Sequence, residues 1–154
     1  MLQAYQLVVF TLDEQCYAVP LAVVERIVRM VEITPVPQAL GIVLGVINVQ
    51  GSVIPVVDIR QRFRLPARVP QLSDQLLIAR TSKRPVALVV DAVTEVVTPS
   101  GQEVVSGETI LAHMEYVTWV VNRPDGLILI HDLDSFLSLE GEQALQDAIE
   151  SMTP

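Results

Sequence analysis

Gly45-Val46-Ile47-Asn48-Val49-Gln50-Gly51-Ser52-Val53-Ile54-Pro55-Val56-Val57-Asp58-Ile59-Arg60 holds two β-branched runs on either side of a polar break. Valine and isoleucine are stiff at χ1 and suit a pleated surface, so residues 45–49 and 53–57 are predicted strands. Gln50-Gly51-Ser52 is the predicted turn between them, with Gly51 supplying the tight bend. Gly45 and Gly51 permit conformations or close approaches that a Cβ would hinder. Asn48 and Asp58 have short polar side chains able to bond local backbone at turns. Residues 58–63 read as a helical turn that ends the unit.

The same pattern extends toward the N-terminus. Residues 4–12 form a predicted strand that is apolar on both faces near its middle. Asp13-Glu14-Gln15 breaks it and residues 17–19 resume it, so the two runs make a hairpin. Pro20 opens a new element, and Val23, Val24, Ile27 and Val28 recur at helical spacing. A short helix is therefore expected over 21–28. Thr34-Pro35-Val36-Pro37 is an extended connector, because each proline removes a donor and disfavours helix before it.

Toward the C-terminus, 66–74 reads as a loop, and 75–81 with 85–90 as a hairpin around Ser82-Lys83-Arg84. Residues 93–98 continue the β pattern, and the polar, glycine-containing stretch 99–107 is expected to be a loop. Residues 116–121 and 127–131 flank Asn122-Arg123-Pro124-Asp125-Gly126, where Pro-Asp-Gly between apolar runs predicts a turn. Two helices are expected at the end, over 132–137 and 142–152, the second with Leu145, Ala148, Ile149 and Met152 on one face. Many short strands with Gly/Pro turns and a helical tail argue a β-barrel or sandwich.

The totals agree. The chain has 154 residues, of which 26 are Val and 11 are Ile. That suits one domain or two small subdomains sharing a core. No apolar run approaches the ~18 residues of a membrane span. The N-terminus has no basic region followed by an apolar stretch, so no signal peptide is expected. A single cysteine, Cys16, fits a reducing cytoplasm. The net charge of -8 is uneven: residues 1–70 carry six Lys/Arg against five Asp/Glu, and residues 71–154 four against thirteen. That acidic second half argues against nucleic acid and against an anionic membrane surface.

Reactive groups are sparse. One cysteine and two distant histidines, His113 and His131, do not make a zinc site. Cys16 reads as a small buried thiol, His113 as solvated, and His131 as a strand-end polar residue. Asp132 and Asp134 are the nearest pair of carboxylates, but an Asp at a helix start more commonly caps free N–H groups. The acidic set Glu140, Glu142, Asp147 and Glu150 reads as a solvated helix face. Neither glycine-rich phosphate loop occurs. No cofactor and no metal are expected, and a binding module is favoured over an enzyme.

The opening stretch resembles the signature region of the CheW-like family, Gly-V-x-N-L-R-G-x-x-x-P-V-x-D-L-R, at Gly45, Asn48, Gly51, Pro55, Asp58 and Arg60 with uninterrupted spacing. Val9-Phe10-Thr11-Leu12 with Tyr17-Ala18-Val19-Pro20-Leu21 is similar to the family's opening hairpin. Val24-Glu25-Arg26-Ile27, Val89-Val90-Asp91-Ala92-Val93 and Ile128-Leu129-Ile130 with Asp132-Leu133 are similar to later elements. The resemblance implies an all-β fold with minor helices: two packed SH3-like five-stranded β-barrel subdomains over 1–138 and a C-terminal helical tail over 139–154. It implies a non-catalytic adaptor in chemosensory signal transduction. The implied partners are the cytoplasmic tip of methyl-accepting chemoreceptors and the regulatory domain of a CheA-type histidine kinase. The implied location is the cytoplasm, with recruitment to membrane receptor arrays.

Expected partner-binding residues are Val24, Arg26, Gly45, Gln50, Val53, Arg60 and Arg62. For Asn48, Gly51, Pro55 and Asp58 a structural role outweighs direct contact. The Gln50 side chain, at a hairpin tip, has little to pack against, and loops commonly carry contacts. Arg60, Arg62, Arg64 and Arg68 form the dense basic cluster, read as a solvated face or as a pairing surface for an acidic partner. Three positions depart from the family: Gln50 replaces the turn arginine, Arg26 a glutamate, and Trp119 a glycine. A glutamine amide cannot reproduce arginine's planar five-donor fork. These changes point to a divergent, non-motility pathway. Two rival classes remain on the residues alone: a ligand-binding β-barrel sensor, and a small hydrolase using Asp132/Asp134 or His131.

Overall fold

A computed structural model describes residues 6–36, 42–62, 65–100, 102–106, 117–124 and 126–131. Its strands are β1 (Leu7–Leu12), β2 (Gln15–Pro20), β3 (Val24–Arg29), β4 (Val43–Val49), β5 (Ser52–Val57), β6 (Gln75–Arg80), β7 (Pro85–Val90), β8 (Ala92–Val97), β9 (Val104–Ser106), β10 (Val117–Arg123) and β11 (Gly126–His131). One four-residue helix, α1 (Ile59–Arg62), follows β5. The strands form a six-stranded sheet, ordered β8-β1-β2-β11-β10-β9, and a five-stranded sheet, ordered β3-β6-β7-β5-β4. The expected all-β architecture in two β subdomains stands. The first sheet is built from both ends of the described chain and the second from its middle.

Strands such as β1 and β6 are apolar on both faces because they serve two cores. In β1, Leu7 and Val9 fill the interior of the six-stranded sheet with Ala18, Val121 and Ile128. Val8, Phe10 and Leu12 point the other way, into a cluster shared with the five-stranded sheet. In β6, Leu76 and Ile78 line the interior of the five-stranded sheet with Ile47, Ile54, Val56 and Ala87, while Leu77 and Ala79 join the shared cluster. Side chains alternate across a strand, so a strand buried on both faces reads as an unbroken apolar run. In the shared cluster Phe10 and Tyr17 are cross-strand partners with stacked rings 5.9 Å apart.

Two expectations change. The helix expected over 21–28 is a 3-10 turn (Leu21–Val23) followed by β3, which pairs antiparallel with β6. A register shift between Val24 and Arg26 interrupts the alternation. Val24 therefore packs on the shared cluster, and Val28 packs inside the five-stranded sheet. A bulge of this kind spaces apolar residues unevenly and imitates helical periodicity. Within the expected loop 99–107, residues 104–106 form β9, which pairs with β10. The expected C-terminal helices lie outside the described residues.

The remaining expectations hold in outline. β4 and β5 form the predicted hairpin, β6 and β7 the next, and β10 and β11 the last. Thr81 organises the β6–β7 turn, its Oγ1 accepting from the N–H groups of Lys83 (3.2 Å) and Arg84 (3.1 Å). Where the chain passes from β7 to β8 it crosses from one sheet to the other. There the Val93 N–H donates to Gln75 Oε1 at 2.7 Å.

Candidate functional site

The β4–β5 hairpin carries most of the signature residues. Val49 pairs with Ser52, so the loop is Gln50-Gly51 alone. Both residues have positive φ, 52° and 87°. That is the geometry of a tight turn whose twist matches the flanking strands. The Gly51 N–H donates to Asn48 Oδ1 at 2.9 Å, so the Asn48 side chain bonds the turn backbone. Gln50 holds a left-handed conformation uncommon for a side chain of its size. It is exposed at the tip, and Val53 beside it is 47% exposed.

Pro55 is buried within β5 opposite Val46. The Val46 N–H and C=O both bond Thr34, on the far side of β4. Val46 and Pro55 are therefore a non-hydrogen-bonded pair, and the absent proline N–H faces away from β4. On that side the pairing of β5 with β7 begins only at Val56. Asp58 caps α1: its Oδ1 accepts from the Arg60 N–H at 3.1 Å, and its own N–H donates to Ile42 O at 2.7 Å.

Two expected contact residues are used inside the chain. Gly45 is buried, and a Cβ there would meet the Thr34 carbonyl and Ile33 Cγ2. Its lack of a side chain serves the close approach of the 33–34 backbone. Arg60 is only 6% exposed. Its Nη2 lies 2.8 Å from Asp13 Oδ1 and 2.8 Å from Asp91 Oδ1. Arg68 Nη2 lies 2.6 Å from the same Asp91 oxygen and 2.8 Å from Asp74 Oδ1. Half of the arginine cluster thus finds its acidic counterparts within the chain. The side chains of Arg62 and Arg64 lie outside the described structure.

The surroundings of Arg60, Arg68 and Asp91 favour their charged forms. Hydrogen bonding to Asp13 holds the Arg60 pKa above its ordinary value against the opposing effect of burial, with Asp91 adding to the rise. Arg68 is raised in the same way by Asp74, against burial, and by Asp91. Burial pushes Asp91 upward, but the Asp13 N–H and the two guanidinium groups outweigh it and leave Asp91 below the usual carboxylate range. Burial, then Asp13, pushes the Tyr17 hydroxyl upward, with Arg60 opposing. Acid–base catalysis near neutrality needs the opposite, a carboxyl raised or a base lowered toward 7. This network holds charges still.

Arg26 is exposed on β3, and Val24 is half-buried at the start of that strand. β3 and β4 are the two ends of the hydrogen-bonded order, so the Arg26 and Gln50 strands are not neighbours in the ladder. Cys16 is half-buried against the six-stranded interior. His131 ends β11, and Trp119 lies on β10 opposite Ile130, their side chains not described. His113, Asp132 and Asp134 fall outside the described residues. Among the described residues no group of three or more His, Cys, Asp and Glu is placed to hold a metal. Sequence reasoning missed the roles of Asp13, Asp74 and Asp91. The available signal for Asp91 was a lone carboxylate after five apolar residues, Val86 to Val90.

Two β sheets sharing one core, with an exposed hairpin tip and an ion network whose arginines are paired within the chain, define a β-rich binding scaffold. The chain belongs to the CheW-like domain family, whose model matches residues 6–141. It is 30% identical over 141 residues to the chemotaxis protein CheW of Rhizobium meliloti, covering 90% of this chain and 91% of that one. It is 25% identical to the chemotaxis protein CheW of Treponema pallidum, covering 93% and 88%. The crystal structure of the scaffolding protein TtCheW from Thermoanaerobacter tengcongensis superposes with a TM-score of 0.80 at 27% identity, covering 90% of this chain and 95% of that one. CheW-family proteins are non-catalytic scaffolds, and this chain is a chemotaxis-type scaffold of that family rather than an enzyme.

Proposed function

We propose that this chain is an adaptor that couples the cytoplasmic tip of methyl-accepting chemoreceptors to the regulatory domain of a CheA-type histidine kinase. It does so in the cytoplasm, at membrane receptor arrays, in a pathway that diverges from standard motility. The observation that carries the reading is the Gln50 tip. The hairpin that presents it keeps every supporting residue of the family pattern: Gly45 against Thr34, Asn48 bonded to Gly51, and Asp58 capping α1. Only the projecting position has lost its arginine. A frame that matches the family pattern with an altered tip is what a change of partner on a retained scaffold requires, because charge complementarity selects partners.

The contact set that follows is Arg26, Gln50 and Val53, all exposed, with the half-buried Val24 on the same strand as Arg26, and Arg62 at the end of α1. Co-purification of the full chain with a receptor cytoplasmic tip and a CheA-type regulatory domain tests the coupling. Folded protein that retains neither partner rejects it. Gln50→Arg tests the divergence: a shift in preference toward standard motility components is expected, and unchanged affinities for both partner sets reject it.

A further inference from the structure

We propose that Asp91 is the pin of an ionic clasp that sets the orientation of the two sheets relative to each other. Asp91 is the single residue between β7, in the five-stranded sheet, and β8, in the six-stranded sheet. Its carboxylate is fully engaged. Oδ1 accepts from Arg60 Nη2 at 2.8 Å and from Arg68 Nη2 at 2.6 Å, and Oδ2 accepts from the Asp13 N–H at 2.9 Å. Its own N–H donates to Thr11 O at 3.0 Å. Asp13 and Thr11 belong to the β1–β2 hairpin of the six-stranded sheet. Arg60 belongs to α1, immediately after β5 of the five-stranded sheet. Arg60 bonds Asp91 and also reaches across to Asp13, closing a ring of three charged residues over the crossover.

The second arm runs through Arg68 to Asp74. The Asp74 side chain is 3% exposed and also accepts the Gln71 N–H at 2.8 Å. The clasp therefore ties the 65–74 connection to the same point.

The reason to assign orientation rather than stability lies in the kinds of force involved. The two sheets meet through the shared apolar cluster, and apolar burial is non-directional. Sheets packed face to face adopt either aligned or near-orthogonal arrangements, so apolar burial by itself does not choose one angle. Charge-assisted hydrogen bonds are short and directional, and a buried charge left without its partner is unfavourable. A carboxylate held on three sides from two sheets admits one arrangement. Any partner that bridges both sheets then meets a preset angle.

Residual dipolar couplings of the 15N-labelled full chain test this. In the wild type, amides of β1 and β2 and amides of β6 and β7 are expected to fit one alignment tensor. In Asp91→Asn, which presents an NH2 to the Asp13 N–H or loses an acceptor for the arginines, each group should still fit its own sheet. The two should no longer share the wild-type relative orientation. Couplings that keep one tensor with the wild-type orientation, even with a lowered melting temperature, overturn the clasp and leave Asp91 a stabilising residue only. If Asp91→Asn does not fold, Arg60→Gln removes the arms to Asp91 and Asp13 together, and the same two outcomes decide.

Discussion

Thr34 and Val46 exchange two backbone hydrogen bonds, Thr34 N–H to Val46 O at 2.9 Å and Val46 N–H to Thr34 O at 3.0 Å. This isolated bridge lays the segment after β3 along the outer edge of β4 and presses its backbone onto Gly45. The bridge explains three features together: why residue 45 lacks a side chain, why the β4 register shifts there, and why Pro55 is tolerated opposite Val46.

Gly45→Ala and Gly51→Ala should therefore differ. At Gly45 the new methyl meets the Thr34 carbonyl, and overpacking of this kind costs roughly 1–3 kcal/mol in addition to backbone strain. At Gly51 nothing lies within 4 Å of the new Cβ, so only the left-handed backbone resists, at about 1–2 kcal/mol. Urea denaturation of both variants should rank Gly45→Ala as the more damaging. The reverse order would show that the bridge does not press on β4.

Gln50 sits at φ 52° in a two-residue turn that favours glycine or asparagine. Gln50→Gly should raise stability by about 0.5–1 kcal/mol, since it relieves a left-handed side chain at an exposed tip. Partner binding should weaken in the same variant. A gain in stability with full partner affinity would remove Gln50 from the contact set.

Acid titration should expose the ionic network. Asp91 has a lower pKa folded than unfolded, so its contribution is complete above the ordinary value of 3.8 and disappears as pH falls through the folded value. The stability gap between wild type and Asp91→Asn should be constant near neutrality and close only below that ordinary value. A gap that already closes between pH 7 and 5 would assign it to another group.

Leu88 belongs to the cluster shared by the two sheets and is almost wholly buried. Leu88→Ala should cost about 2–5 kcal/mol, as large-to-small core changes do. Because both sheets lean on that cluster, fluorescence of Trp119 in the six-stranded sheet and circular dichroism of the whole chain should report one coincident transition. Separated transitions would mean that the sheets fold independently.

Much of the candidate site was legible because its determinants are local. Asn48 reaches only to Gly51, and Asp58 only to Arg60, bonds within the reach that short polar side chains at turns suggest. The β3 strand was not legible as such. Its Val24-to-Val28 spacing follows from a register shift against β6, a partner some fifty residues away in the chain. The inward turn of Arg60 was hidden for a similar reason. Its counterparts Asp13 and Asp91 flank it at distances in sequence that no local rule connects.

Composition and period thus determined, unaided, that this chain is a β protein with tight hairpins. The 26 Val and 11 Ile suit pleated surfaces, and turn chemistry acts between near neighbours. What only the tertiary structure decided is which charges face a partner and which face each other. An arginine's side chain is the same in either role, and its partner is chosen by where two distant strands bring a carboxylate. At Arg60 the fold brought two, and the one exposed difference left in the signature is Gln50.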